Sequence, residues 1–178
     1  MSWSVDQLVP WYLEVADGWK VQRAKSVLRK EKVLNKDRLE AQILSLTLRG
    51  VVENDPENPE GLVPADYGTY QIFEKDDLVF KLIDLDNVRT SRVGHVHRRG
   101  IMSSAYMRLR PSASVDTRFI YWQFFDLYNR QVFNQLGSGV RSTLNADDVL
   151  NLPMLVPPLS HQKAIANFLD RETTRIDA

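Results

Sequence analysis

The patterning of this 178-residue chain predicts a mixed α/β fold, and three stretches carry the prediction. Residues 42–48 alternate apolar and polar in period two, with Leu44, Leu46 and Leu48 on one face, as a strand does. Residues 117–136 are long and apolar nearly all round, as a buried helix is. Residues 152–158 are apolar but carry Pro153, Pro157 and Pro158, which fix φ and remove backbone donors, so they predict an extended edge segment before a last helix.

The length suits one domain plus an appendage. A 43% hydrophobic content with four tryptophans is enough for a core and excludes a disordered chain. With no cysteine, disulfides and thiolate zinc sites are excluded. The first residues lack a basic start followed by an apolar run, so no secretory signal is expected. No apolar run reaches the roughly 18 residues a membrane span needs, and a cytoplasmic protein is expected.

In chain order, Val21, Ala24, Val27 and Leu28 repeat at helical spacing, which predicts a short amphipathic helix over residues 21–30. The strand over 42–48 ends at Arg49 and Gly50, and residues 54–61 (NDPENPEG) form a surface loop by composition. Tyr70, Ile72 and residues 78–83 predict paired strands around the turn Glu74-Lys75-Asp76-Asp77. Gly94 and Gly100 frame a hairpin or bulge, and residues 103–109 alternate as a strand. Asp116 or Thr117 caps the aromatic helix and Gly137 ends it. Its rings suit core packing better than a cofactor box. Residues 137–144 (GSGVRSTL) are either a phosphate-contacting loop or a plain connector, and they lack the lysine of a P-loop. Ser160 stands as an N-cap for a helix from His161 onward. There Ile165, Leu169 and Ile176, with Phe168 beside them and Glu172 interrupting, form a coiled-coil-like seam. A seam that ends with the chain suggests truncation or a missing partner helix.

The run PPLSHQKAIANFLD, continuing to Arg175-Ile176-Asp177, resembles the segment that closes a target recognition domain in the specificity subunits of type I restriction-modification systems. His161 stands where that family usually has an acidic residue, which removes favourable charge from the helix N-terminus. Asp17-Gly18-Trp19 resembles the opening of such a domain, and Asp77-Leu78-Val79-Phe80 resembles a family strand introduced by Gly-Asp. Asp76 replaces that glycine, and aspartate tolerates the left-handed geometry. The run from Gly100 to Tyr106 resembles the glycine and small polar residues that lead into a tyrosine-bearing strand, and residues 137–144 resemble the loop before the final strand.

The resemblance implies an α+β fold with a twisted, largely antiparallel sheet, flanking helices and a coiled-coil-like C-terminal helix. It implies a target recognition domain over residues 1–158 and the start of a spacer helix over 159–178. The implied function is sequence-specific recognition of double-stranded DNA, and since the sequence holds no methyltransferase cofactor loop, nucleophile elbow or nucleotide-hydrolysis motif, neither catalysis nor a cofactor is expected. The implied partners are methyltransferase (modification) subunits, the motor-nuclease (restriction) subunit, and a second target recognition domain in the same subunit or in a dimer partner.

Net charge is zero, but its distribution is uneven. Residues 53–77 hold eight acidic residues and one lysine, while residues 81–118 hold eight basic and three acidic ones, which can build a basic face. The expected DNA-facing residues are Arg92, His95, His97, Arg98, Arg99, Ser138, Arg141 and Ser142, placed in glycine-flanked loops. Arg108 and Arg110 are less clearly placed, because strand alternation can turn them to solvent. Ile165, Phe168, Leu169 and Ile176 are the expected helix-pairing residues. Two competing readings are a metal-dependent nuclease, with His95 and His97 on one strand face near Asp84 and Asp86, and a protein-interaction module using the C-terminal helix.

Overall fold

The computed structural model describes residues 15–55, 64–86, 90–136 and 143–176. In chain order the elements are β1 (Lys20–Arg23), β2 (Leu28–Glu31), β3 (Ile43–Thr47), β4 (Gly50–Asn54), β5 (Gln71–Phe73), β6 (Leu78–Phe80), β7 (Val93–His95), β8 (Gly100–Met102), β9 (Met107–Pro111), α1 (Thr117–Asn129), α2 (Val132–Leu136), α3 (Ala146–Leu150), β10 (Pro153–Val156) and α4 (Leu159–Ile176). The strands form two four-stranded sheets, β2-β9-β6-β7 and β4-β3-β8-β5, and a two-stranded ladder β1-β10. All ladders are antiparallel except the short β3–β8 contact. The fold is thus mixed α/β with largely antiparallel sheets and a C-terminal helix, as expected.

Strand β6 shows why the layers stack as they do. Its alternate side chains serve two cores. Leu78 and Phe80 join Phe119, Ile120, Phe124 and Leu127 of α1, with Phe80 edge-on to Phe124 at 4.9 Å. Val79 points the other way, to Leu46, Val51, Phe73 and Met102 of the second sheet. Gly94 lies opposite Val79, and a Cβ there would sit 2.7 Å from both Leu46 and Val51. The missing side chain lets the sheets close. Gly94 and Gly100 therefore frame no hairpin: β7 and β8 belong to different sheets.

Other local expectations give way to tertiary pairing. Residues 21–30 are not a helix but β1, a 3-10 turn (Ala24–Ser26) and β2. Val21 pairs with Leu155 of β10, and the Ala24 N–H donates to the Leu152 carbonyl at 2.8 Å. Ala24, Val27 and Leu28 are all buried, so the helical spacing marked the core contacts without marking a helix. Strands β5 and β6 do not pair with each other, because the turn between them carries the chain from one sheet to the other. That turn uses Asp76 at φ +67°, the left-handed geometry expected of it, and the Asp77 carboxylate accepts the Glu74 N–H at 2.7 Å. Leu44 and Leu46 are buried, but Leu48 is 58% exposed where the chain reverses into β4. Residues 103–106 form a turn, so β9 starts only at Met107.

Asp116 caps α1 by accepting from the N–H groups of Arg118 and Phe119. The long helix breaks at Arg130 and Gln131, the latter at φ +57°. Gly137 and most of the 54–61 loop lie outside the described residues. β10 is the extended, proline-bearing edge segment expected. Helix α4 begins at Leu159, so Ser160 lies in its first turn rather than at its cap. Gln162 and Ala166 form its buried face, while Ile165 and Leu169 sit half-buried beside it. Phe168 and Ile176 stay 53% and 81% exposed. Among the described residues no helix is long and apolar enough to cross a membrane.

Candidate functional site

The end of β7 and the loop from it to β8 gather four of the expected residues, His95 on the strand and His97, Arg98 and Arg99 beyond it. The loop joins two different sheets, so these side chains meet carboxylates from three other segments. His95 Nε2 lies 3.0 Å from Asp76 Oδ1, and the ring sits 6.3 Å from that of Tyr121 on α1. His97 Nε2 is 3.9 Å from Glu53 Oε1 on β4. Arg98 donates to the same Glu53 oxygen at 2.7 Å. Arg99 donates through Nε to Glu40 Oε2 at 2.8 Å and through Nη1 to Glu74. Those two hydrogen bonds raise its guanidinium above the usual arginine pKa. The acidic and basic blocks of the sequence thus meet here and offset each other. Exposed pairs of this kind are each worth about 0–1 kcal/mol, so a phosphate can displace the carboxylates at little cost.

Arg92 corrects the expectation. It is fully buried rather than facing solvent. The Lys81 N–H donates to its carbonyl at 3.0 Å, which ties the residue to the end of β6, and its side chain is enclosed. Burial lowers its pKa, opposed by Tyr128 and by the carboxylates of Asp84 and Asp86. Arg108 is also buried: it donates to Asp77 Oδ2 at 2.5 Å and to the Ile72 carbonyl at 2.9 Å. Ser138, Arg141 and Ser142 lie outside the described residues.

The candidate metal pair is not assembled. His95 faces Asp76, His97 faces Glu53, and Asp86 accepts from Asn134 Nδ2 at 3.1 Å. Among the described residues no group of three or more histidines and carboxylates is placed to hold a metal ion.

A second concentration of positive charge lies along β1 and β2. Residues 20–38 carry eight basic and two acidic residues. That excess was legible in the sequence, but a helix would scatter these side chains round a cylinder. In the fold Lys20 lies on β1, Arg29 and Lys30 on opposite faces of β2, Lys32 just beyond it and Lys25 on the turn between the two strands, all exposed. A cleft of about 420 Å³ opens there, lined by Lys25, Ser26, Arg29, Arg110 and Ser112 among others.

The sequence profile of the type I restriction modification DNA specificity domain matches residues 17–177. The chain belongs to that family. Solved structures share the fold of this specificity domain. One is from a study of complex assembly and conformational transition of the type I R-M system, at 13% identity and a TM-score of 0.59, covering 93% of this chain and 41% of that one. Another is the HsdS subunit from Thermoanaerobacter tengcongensis, at 12% identity and 0.58, covering 93% and 40%. A third is the type I restriction-modification S subunit from M. genitalium, at 15% identity and 0.56, covering 93% and 42%. The specificity domain therefore spans about two fifths of each of these chains. No curated protein sequence matches it.

Proposed function

We propose that this chain recognises a specific sequence in double-stranded DNA and directs the modification and restriction subunits of a type I system to it. The observation that carries the reading is the family match over residues 17–177, supported by the shared fold. In this reading the chain supplies recognition and the partner subunits supply methyl transfer and cleavage, in the cytoplasm. Residues 1–158 are the target recognition domain and 159–178 begin a spacer helix. Arg98, Arg99, His95 and His97 reach the duplex from the end of β7 and the β7–β8 loop, joined by Ser138, Arg141 and Ser142. Phe168 and Ile176, with Ile165 and Leu169 at their edge, pair with the helix of a second recognition domain.

The test compares Arg98→Ala, Arg99→Ala and Arg141→Ala with the parent, assembled with the methyltransferase subunits. Binding is measured on a duplex selected by the parent and on a scrambled one, at two salt concentrations. A base-reading arginine costs about 1–3 kcal/mol on the selected duplex alone. A phosphate-contacting one weakens both and lowers the salt slope by about one. A parent that does not prefer its selected duplex, or three variants that bind like the parent, refutes the assignment.

A further inference from the structure

We propose that the cleft between the turn at Lys25 and Ser26 and the segment 111–113 seats a backbone phosphate of duplex DNA, held by Lys25, Arg29 and Arg110. The inference rests on the DNA-recognition reading above and adds a contact surface distinct from the β7–β8 loop. Arg29 and Arg110 stand directly opposite each other on β2 and β9. Like charges so placed repel across a ladder. Glu31 relieves this by taking Arg29 Nε at 2.7 Å and Arg110 Nη1 at 3.1 Å, while buried Asp77 takes Arg110 Nε at 3.2 Å. Glu31 also lies 3.5 Å from Arg108, which is itself bound to Asp77. Three guanidinium groups thus share two carboxylates, and a positive charge is left over. The cleft lining contains no carboxylate. The acids orient the arginines from within the sheet, and guanidinium held in this way loses little freedom when it forks onto a phosphate.

Lys25 is the lysine that lines the cleft, whereas Lys30 points to the opposite face of β2 and lines a separate hollow with Lys32. Lys20, Lys25, Lys30 and Lys32 make no ion pair among the described residues, whereas Arg98 and Arg99 are each matched by glutamates. Lys30 also protects the edge strand β2 from pairing with other chains. Edge protection does not account for Arg110, which sits on the inner strand β9. A single small anion is far smaller than this cleft of about 420 Å³ and would leave part of its cationic lining unused, whereas a polyanion engages Lys25, Arg29 and Arg110 together.

The experiment measures duplex binding by Lys25→Glu, Arg29→Gln and their combination across a salt series, with thermal melting as the folding control. Lys25 is exposed and carries no fold-maintaining bond, so its variant stays informative if Arg29→Gln melts early. Arg130→Glu, far along the chain at the end of α1, controls for net charge. The expected result is weaker binding to selected and scrambled duplexes alike, an unchanged preference between them, and a salt slope lower by about one for each phosphate no longer engaged. The cleft assignment is overturned if the parent binds while both variants keep its slope. It is also overturned if the weakening falls on the selected duplex alone, or if Arg130→Glu weakens binding as much. If the parent binds no duplex even at low salt, the DNA reading falls and this inference with it.

Discussion

Asp170 of α4 accepts the indole N–H of Trp122 of α1 at 2.8 Å, and its other oxygen takes Arg118 Nη1 at 2.8 Å. About two turns earlier, buried Gln162 accepts the Asp116 N–H at 2.9 Å and donates to the Pro157 carbonyl at 2.8 Å. Two polar clamps therefore set the angle at which the C-terminal helix leaves the sheets. Asp170→Ala removes two charge-assisted bonds at a 37% exposed carboxylate, so a loss of about 1–2 kcal/mol is expected. Gln162→Ala leaves a buried N–H and a carbonyl unpaired and costs about 2–3 kcal/mol. Urea midpoints check the order, and the clamp is misassigned if Asp170→Ala destabilises more than Gln162→Ala.

The Asp77–Arg108 pair is buried on both sides, at 1% and 2% side-chain exposure. Its desolvation is offset by the mutual bond, by the Ile72 carbonyl and by Arg110. Removing one partner leaves a buried charge exposed to the apolar interior. Asp77→Ala is expected to cost about 3–5 kcal/mol, and Asp77→Leu combined with Arg108→Met far less. A double-mutant cycle in denaturant measures this; additive losses mean the pair is not coupled.

Tyr121 is held by burial, and secondarily by the Asp170 charge, with its phenol pushed up to about 12. Between pH 10 and about 12 the unfolded chain loses this proton while the folded one keeps it. The tyrosine's contribution, on the order of 2–3 kcal/mol, is thus fully present below pH 10 and lost as pH rises through the folded pKa. Tyr121→Phe should flatten the fall in stability over that window. Phenolate absorbance provides the second readout: titration of all tyrosines near pH 10 contradicts the shift.

Much of this domain's local chemistry was legible in the sequence. The Asp116 cap, the strand through Leu44 and Leu46, the proline-bearing edge segment and the left-handed Asp76 each depend on a residue and its immediate neighbours. The candidate site was legible only as a neighbourhood. Residues 95–99 stood out by composition, but their carboxylate partners did not, since Arg98 meets a glutamate 45 positions away.

Chain-local rules, then, determined which residues can turn, cap, alternate and be buried. Tertiary structure decided pairing. It placed sequence neighbours β5 and β6 in different sheets, turned an apparent helix over 21–30 into two strands, and drew Arg92 and Arg108 inside. The reason is physical. Propensity and periodicity act over a few residues, whereas a strand's partner and a charge's counterion are chosen by burial across long loops, where closing the loop costs little and an unpaired buried group costs much.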